Sequence, residues 1–402
     1  MKKRIKILFI HHGAGIGGAP ISLRNLILNL NIDKYQCKVL CLRPGSHIKL
    51  FEDAGIDTEL ITAPKRFFSH TQTGRKQWYY FPYLIPILIE WVYTAFYFAP
   101  KHLKMQDCDI IHLNSHVLSS WAFAAKKRNF KVIMHNREAI TKGYLGIRYI
   151  ILKTLISKYC DFIINISEDN KKRLGLINKS TVIYNFVDIP KEYRLTMSNA
   201  KDQKKILYLG GSASIKGFDT LVDSLKFLDE GIVVQIAGHI NKTPNDILQR
   251  NIVKYIKEVI TKKNKRIEII ENSSNTEILG VLDNPYPYID GCDILITPFK
   301  IEHFSRPAIE AFAYGKPVIG SDVEGMEEII DHELNGLLIR KNMPIDLARA
   351  INRLCNEPII AQSFGDNGRK KAIDQFSVKP NIQKIEMIYT QLMNNSSSMQ
   401  VK

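Results

Sequence analysis

The chain has 402 residues, of which 45% are hydrophobic and 24% are charged, and this globular composition excludes collagen-like, disulfide-scaffold and largely disordered proteins. At about 100–200 residues per domain, the length predicts two or three domains. Lysine and arginine number 56 against 40 aspartates and glutamates, a net charge of +16. Such a surface attracts phosphates, whether in nucleic acid, anionic lipid or phosphorylated small molecules.

The first half of the sequence alternates apolar strand-like runs with amphipathic segments, which predicts a parallel sheet covered by helices on both faces. The basic amino terminus leads into an apolar run too short for a signal peptide, so we interpret it as the first strand. Strands are predicted at 5–10, 38–42, 109–113, 131–134, 162–166 and 180–184. Helices are predicted at 20–30 and 117–127, and another begins after Ser167 as its N-cap.

The pattern restarts after a polar linker at 197–205. Strands are predicted at 205–209, 232–237, 266–270, 293–297, 317–321 and 336–339, with helices at 218–228 and 307–314. The predicted fold class is therefore α/β, with two facing Rossmann-like doubly wound domains and a cleft between them. The predicted division is 1–190 for the first domain and 191–375 for the second, with a helix at 376–402 that crosses back to the first domain and ends in a disordered tail.

Residues 78–99 form an aromatic and apolar stretch about long enough to span a bilayer. Glu90 and two prolines interrupt it, and its many Tyr and Trp side chains prefer interfaces to bilayer centres. Basic residues flank it: Lys65, Arg66, Arg75, Lys76, Lys101 and Lys104. Two interpretations stay open, namely a membrane-facing or lipid-acceptor helix and a helix of the core or of a domain interface.

The six cysteines, Cys37, Cys41, Cys108, Cys160, Cys292 and Cys355, form no pair of CxxC units. This argues against a zinc site and fits free thiols in a reducing cytoplasm.

Two glycine-rich loops follow predicted strands and precede helices, where backbone N–H groups can approach a phosphate. The first covers 13–18 and is neither a P-loop nor a dinucleotide fingerprint, so a plain tight turn is equally compatible with it. The second covers 210–217 and adds Lys216, whose charge could neutralise a diphosphate or simply be solvated beside a turn.

The most specific pattern is a pair of carboxylates eight residues apart, Glu302 and Glu310, on either side of a helix start. Ser305 is predicted as its N-cap and Pro307 as a first-turn residue. Backbone N–H groups at 304–307 would then point at an anion, with the helix dipole assisting. Two alternatives to an anion-binding helix start remain: a capped helix whose acids are solvated, and a pair of carboxylates that hydrolyses glycosides. A hydrolase, however, does not need loops aimed at phosphates.

These motifs resemble the retaining nucleotide-sugar glycosyltransferases of family four, which have the two-domain GT-B architecture. The resemblance rests on Glu302 to Glu310, on AFAYGKPVI at 311–319, on GMEEII at 325–330 with Asn335 and Gly336, on VIYNFVD at 182–188, and on Gly17, Gly18 and Ala19. It runs in the expected order from about residue 5 to 340 and is most specific in the last third. It implies that the domain at 1–190 binds the acceptor and that the domain at 191–375 binds the nucleotide-sugar.

The resemblance implies a role for each matching position. The catalytic residues would be His135, facing the reacting sugar, Lys216, binding the diphosphate and stabilising the leaving group, and Glu302, holding the sugar hydroxyls. Glu310 would bind the ribose, and Leu282 would lie near the base. The implied donor-binding residues are Gly17, Gly18, Gly210, Gly211, Lys216, Leu282, Glu302, Phe304, Ser305, Arg306 and Glu310. His11 and His12 are interpreted as structural, although His12 could line the cleft.

One position departs from the family pattern, because Gly211 stands where the family has a phosphate-binding arginine. Backbone N–H groups or Arg306 could substitute for it.

The implied reaction is retaining transfer of a hexose-type sugar from a UDP- or GDP-sugar to a hydroxyl. The implied acceptor is a saccharide or polyprenyl-linked saccharide used in bacterial cell-surface polysaccharide synthesis. Neither a metal nor another cofactor is expected, and the protein is predicted to be cytoplasmic, with an anionic membrane surface as a partner. The alternatives are a GT-B nucleotide-sugar epimerase and a basic nucleic-acid- or membrane-binding protein without catalysis. No module for nucleic acid is recognised in the sequence, so nucleic acid is not predicted as a partner.

Overall fold

A computed structural model describes residues 4–63, 81–140, 146–193, 203–242 and 254–397. The chain divides into two compact units, the first formed by Met1–Phe186 with Val378–Lys402 and the second by Val187–Ser377. Each contains one parallel sheet, so the predicted α/β class with two Rossmann-like domains is confirmed. The predicted basic residues at 65, 66, 75 and 76, the start of the 78–99 stretch, most of the 197–205 linker and the end of the tail lie outside the described residues.

The first sheet has seven strands in the order β3-β2-β1-β4-β5-β6-β7. The strands are parallel, and their order along the sheet reverses at β1, as in doubly wound folds. The strands are β1 (Ile5–His11), β2 (Tyr35–Cys41), β3 (Asp57–Leu60), β4 (Ile110–Leu113), β5 (Lys131–Asn136), β6 (Phe162–Asn165) and β7 (Ser180–Val182). The central strands are buried almost without interruption, as sheets covered on both faces require.

Helices cover both faces of this sheet. They are α1 (Gly18–Asn29), α2 (Ser46–Glu52), α3 (Phe81–Tyr93), α4 (Ala99–Leu103), α5 (Ser119–Lys127), α6 (Ile147–Tyr159), α7 (Glu168–Leu174) and, from the end of the chain, α14 (Val378–Ser397). Ser167 caps α7 as predicted, since its Oγ accepts from the N–H of Asn170 at 3.0 Å. From α14, Ile385 and Tyr389 are fully buried in the apolar cluster that contains Phe9 and Val39.

The second sheet has six strands in the order β10-β9-β8-β11-β12-β13. They are β8 (Lys204–Tyr208), β9 (Ile232–Ala237), β10 (Thr276–Gly280), β11 (Ile294–Thr297), β12 (Val318–Ser321) and β13 (Gly336–Ile339). Its helices are α8 (Phe218–Ser224), α9 (Lys254–Asn272), α10 (Tyr286–Gly291), α11 (Arg306–Ala313), α12 (Pro344–Asn356) and α13 (Pro358–Lys371).

The predicted strand at 266–270 is wrong, because these residues form the end of α9. Ile267 and Ile270 are buried and lie three residues apart on one helix face, whereas Ile269 is half exposed. A five-residue run rich in isoleucine does not distinguish a short strand from a helix end. One edge of this sheet is formed instead by β10, a strand that was not predicted from the sequence; β3 was not predicted either.

From Phe81 onward, the aromatic stretch forms one continuous helical segment that consists of α3, a π-helical turn at Thr94–Phe98 and α4. Its inner side is packed into the domain, where Ile87, Ala95, Ala99 and Leu103 are buried. Among the residues that the structure describes, no helix is both long enough and apolar enough to cross a membrane.

An aspartate precedes β4, β6 and β11 and ties the start of each to a neighbouring strand. Asp109, Asp161 and Asp293 each accept, at 2.8 Å, from the backbone N–H of Lys6, Val132 and Lys205 respectively. The backbone N–H of each aspartate donates in return to the carbonyl of the same partner, also at 2.8 Å. The repeated contact aligns neighbouring strands at the edge opposite their carboxyl ends.

We predict that Asp293→Ala lowers the free energy of unfolding by about 2 kcal/mol, because it leaves the N–H of Lys205 without its charged acceptor in a buried setting. The matched control, Asp283→Ala at an exposed loop position, should change it by less than about 0.5 kcal/mol. Urea unfolding of the full chain measures both, and equal effects would show that the strand-start contact adds nothing.

Candidate functional site

Two loops at the carboxyl edge of the second sheet are held together by backbone contacts. They follow the adjacent strands β8 and β11 and cover 209–217 and 298–305. The N–H of Lys300 donates to the carbonyl of Ile215 at 3.1 Å, and the Lys300 ammonium pairs with Asp219. Gly217 has φ +83°, and a Cβ there would lie 1.8 Å from the carbonyl oxygen of Pro298. The contact therefore requires glycine at 217 and fixes the residue before it, Lys216.

Lys216 lies partly buried between these loops. Burial lowers the pKa of its ammonium, so a bound anion would favour the charged form. His303, whose ring stacks on Phe299 with centroids 4.0 Å apart, has its pKa lowered to about 4 by burial and by the charge of Lys216. The site thus places one cation beside a neutral imidazole. His303 was given no role from the sequence.

The start of α11 is capped as predicted. The Oγ of Ser305 accepts from the N–H of Ala308 at 3.4 Å, with Arg306 and Pro307 in the first turn. One detail of the prediction is wrong, because Pro307 has no N–H that could point at an anion. Both Phe304 and Ser305 are buried, and partly buried Glu302 lies in the loop that leads to them.

Arg306 and Glu310 form a buried ion pair across one turn of α11. The guanidinium Nε donates to Oε1 at 2.7 Å, and the side chains are 6% and 7% exposed. Burial raises the pKa of Glu310, while Arg306 acts in the opposite direction. Arg306 therefore holds the carboxylate of Glu310 in a fixed orientation. This carboxylate lies near Tyr286, whose ring stacks on that of Tyr314.

The turn at Gly210 and Gly211 explains the departure from the family pattern. Gly211 has φ +55°, and a Cβ there would lie 2.6 Å from the carbonyl oxygen of His239. The N–H groups of Gly211 and Ser212 donate to the carbonyls of Ala237 and His239, both at 2.9 Å. This turn is thus packed against the turn after β9, and a larger residue at 211 would have to displace it.

Three further predicted positions, Leu282, Gly17 and Gly18, belong to loops that follow strands. Partly buried Leu282 follows β10, whose last residue, Gly280, accepts from the N–H of Gly238 at 2.6 Å. In the first domain Gly17 and Gly18 are exposed where α1 begins, and a Cβ at either would meet nothing within 4 Å. Packing does not require glycine at these two positions, and both interpretations of the loop, a phosphate-binding loop and a plain tight turn, are compatible with this geometry.

His135 lies at the carboxyl end of β5 and is buried. Burial, with Arg137 and His112 nearby, lowers its pKa well below the usual value, so the imidazole is neutral at pH 7. Its Nδ1 lies 3.2 Å from Nε2 of His112 and 3.3 Å from the Arg137 guanidinium.

Buried and partly buried polar residues lie at the ends of β1, β4 and β5 near His135. One of them, His11, was interpreted from the sequence as structural, and the others were given no role. The Nε of Arg137 donates to Oδ1 of Asn114 at 2.5 Å, and Nδ2 of Asn114 lies 3.1 Å from Nδ1 of buried His11. Ser115 donates to Glu138 at 2.7 Å, and burial raises the pKa of that carboxyl to about 7. These residues could have been predicted from the sequence as site candidates, because each of them ends a strand or closely follows one.

Within the described residues, no cluster of three or more His, Cys, Asp or Glu side chains is arranged to hold a metal ion. The six cysteines are free.

Comparison with known proteins gives the family. The model described as "Glycosyltransferase Family 4" matches residues 16–191, and the model "Glycosyl transferases group 1" matches 192–371. An uncharacterised glycosyltransferase of Methanocaldococcus jannaschii is 27% identical over 313 residues, which cover 76% of this chain and 81% of that protein. The capsular polysaccharide biosynthesis glycosyltransferase CapM of Staphylococcus aureus is 24% identical over 198 residues, 48% of each chain.

Among solved structures, HepE from Anabaena in complex with UDP and glucose superposes with a TM-score of 0.72, covering 96% of this chain and 100% of that one. At 19% identity, this likeness establishes the fold, which is GT-B. The two family models together cover most of the sequence, and they match the two domains in order. The chain belongs to the family-four glycosyltransferases.

Proposed function

We propose that this glycosyltransferase moves a hexosyl group from a UDP- or GDP-sugar to a hydroxyl acceptor with retention of anomeric configuration. The observation that carries the proposal is the paired loops of the second domain. They bring Lys216 and the segment from Glu302 to Ser305 to the carboxyl edge of β8 and β11, where ligands of parallel sheets bind.

The donor site is supported by the complementarity of its parts. A diphosphate carries negative charge that the Lys216 ammonium and the start of α11 would neutralise. Glu302 would accept hydrogen bonds from sugar hydroxyls, and Glu310, oriented by Arg306, would accept from the ribose. HepE, whose fold this chain shares, is described in complex with UDP and glucose, which supports a uridine donor as the first to test.

In the proposed reaction the sugar–phosphate bond breaks through an oxocarbenium-like state, and the acceptor hydroxyl attacks from the face that the diphosphate leaves. The leaving phosphate takes the acceptor proton, so no protein nucleophile is needed. Lys216 and the N–H groups at 304–306 stabilise the charge that develops on the leaving oxygen, the kind of electrostatic contribution that dominates many enzymes. Neutral His135 contributes hydrogen bonding without adding charge.

For the acceptor, we propose a lipid-linked saccharide at an anionic membrane surface in polysaccharide synthesis. CapM is described as a capsular polysaccharide glycosyltransferase, which supports the polysaccharide assignment. The segment α3–α4 supports the membrane, because it has a second apolar face directed to solvent. That face is formed by Ile85, Leu88, Ile89, Val92 and Phe96, which are 41–63% exposed.

This exposed stripe follows helical spacing and continues into exposed Tyr97, Lys101 and Lys104. Apolar side chains with aromatic and basic neighbours are the composition of helices that lie in a bilayer interface. Solvent-facing apolar side chains at this density are not needed for packing, since the opposite face of the segment already fills the core.

Lys216→Met should lower kcat for sugar transfer about 100-fold, because the leaving diphosphate loses its nearest cation. The matched control is Lys226→Met, an exposed lysine of the same domain, which should leave kcat unchanged. Initial rates with UDP- and GDP-sugars, and with p-nitrophenyl glycosides as acceptors, measure both variants.

A melting-temperature screen of the wild type against UDP, GDP, ADP and a short RNA accompanies this test. One nucleoside diphosphate at about 100 times its Kd should stabilise the fold by about 2.7 kcal/mol. Stabilisation by RNA alone would contradict the proposal and favour the basic binding protein. Inversion at the anomeric carbon of the product would contradict the retaining mechanism.

The double variant Ile89→Glu with Phe96→Glu should weaken binding to phosphatidylglycerol-containing vesicles at least tenfold, because insertion of each apolar side chain is worth about 1.5–3 kcal/mol. Vesicle co-sedimentation at low and high salt measures it. Ile359→Glu, at an isoleucine that is 85% exposed in the second domain, is the control and should bind as the wild type does. Equal binding by all three would show that the exposed face of α3–α4 is not the membrane contact.

A further inference from the structure

Three buried side chains of the first domain form a series of hydrogen bonds that ends at His135. The hydroxyl of Tyr389, on α14, lies 2.7 Å from Nδ1 of His112 on β4. Nε2 of His112 lies 3.2 Å from Nδ1 of His135, and a guanidinium nitrogen of Arg137 lies 3.3 Å from the same Nδ1. Tyr389 and His112 are fully buried and His135 is 4% exposed.

The donors and acceptors of this series can be assigned from chemistry alone. Arginine only donates, so Nδ1 of His135 must present a lone pair to Arg137. Nε2 of His112 faces that same lone pair and must therefore carry a hydrogen. A neutral His112 then has a bare Nδ1, which accepts from the hydroxyl of Tyr389.

The charge states agree with this assignment. Burial, then the charge of Arg137, lowers the pKa of His112 to about 3, and burial raises the pKa of Tyr389 well above its usual value. Both groups therefore stay neutral at pH 7. Each side chain of the series therefore has one assignment of hydrogen-bond donor and acceptor atoms. In this assignment the single N–H proton of the His135 ring lies on Nε2.

We propose that His112 is a positioning residue, which with Tyr389 and alongside Arg137 keeps the proton of His135 on Nε2, so that His135 meets the transferred sugar as a hydrogen-bond donor and not as a base. The inference rests on the proposed function for its substrate, and on the first domain alone for its geometry. Among the described residues, Nε2 of His135 has no hydrogen-bond partner, so its N–H is available to an oxygen of the ligand.

The series is anchored at both ends, which makes the assignment resistant to local movement. The ring of Tyr389 packs edge-on against Tyr35, with centroids 5.7 Å apart, within the apolar cluster of the domain. Arg137 is held by Asn114 at 2.5 Å and by Asn185 at 3.1 Å. Tyr389, which lies 277 positions from His112 in the sequence, thus helps to set the proton position of His135.

The direct test is ¹⁵N NMR of the imidazole nitrogens in the full-length wild-type protein at pH 7, without substrate. The ¹⁵N shifts distinguish a protonated nitrogen from a bare one. We expect His135 to have a protonated Nε2 and a bare Nδ1. A protonated Nδ1, or a doubly protonated ring, would overturn the proposal whatever the enzyme transfers.

Two substitutions separate positioning from packing. In His112→Gln the side-chain amide can still donate to Nδ1 of His135, so we expect kcat within about twofold of the wild type and an unchanged tautomer. In His112→Leu one of the two donors to Nδ1 is lost and Arg137 remains, so we expect the ¹⁵N spectrum to show a larger fraction of the Nδ1–H form of His135 than the wild type has. We also expect kcat to fall about tenfold while the donor KM stays unchanged.

Equal losses of kcat in both variants, or a rise in KM without a change in the tautomer, would show that His112 only packs and would overturn the proposal. If His112→Leu does not fold, the wild-type spectrum and His112→Gln still decide the question. If the wild type transfers no sugar, the proposed function fails, and the spectra of the wild type and variants still decide the tautomer.

Discussion

The candidate donor site depends on turns that approach one another more closely than a side chain would allow. At the carboxyl edge of the second sheet, Gly217 meets the carbonyl of Pro298, Gly211 meets that of His239, and Gly325, with φ +86°, meets that of His303. These contacts lock the loops after β8, β9, β11 and β12 to one another. Lys216 and the segment from Glu302 to Ser305 are therefore held by backbone, and their positions do not depend on flexible side-chain packing.

The two domains differ in the charge of the side chains at the carboxyl edges of their sheets. The second presents a lysine, two glutamates and a helix start, which suit an anionic ligand with hydroxyl groups. The first presents imidazoles whose pKa values burial holds low, as at His112 and His135. In the proposed reaction the second domain stabilises charge, and the first domain contributes hydrogen bonds from neutral side chains.

Much of this was predictable, because parallel strands buried on both faces have a strong local signature. β9 and β13 were predicted to the residue, and Ser305 was predicted as a cap from the residues that follow it. The strand at 266–270 failed because short isoleucine-rich runs suit a helix face equally well. The bonds between Tyr389, His112 and His135 join residues far apart in sequence, and the pairing of Arg306 with Glu310 is one of several that a helix start permits. No local pattern specifies such contacts.

The most direct test of the central claim is a crystal structure of the full chain with UDP or GDP, whichever raises the melting temperature. We expect the diphosphate within hydrogen-bond distance of the Lys216 ammonium and of a backbone N–H at 304–306, with the ribose hydroxyls on Glu310. A nucleotide bound at the opposite, amino edge of the second sheet, or away from Lys216, would contradict the account.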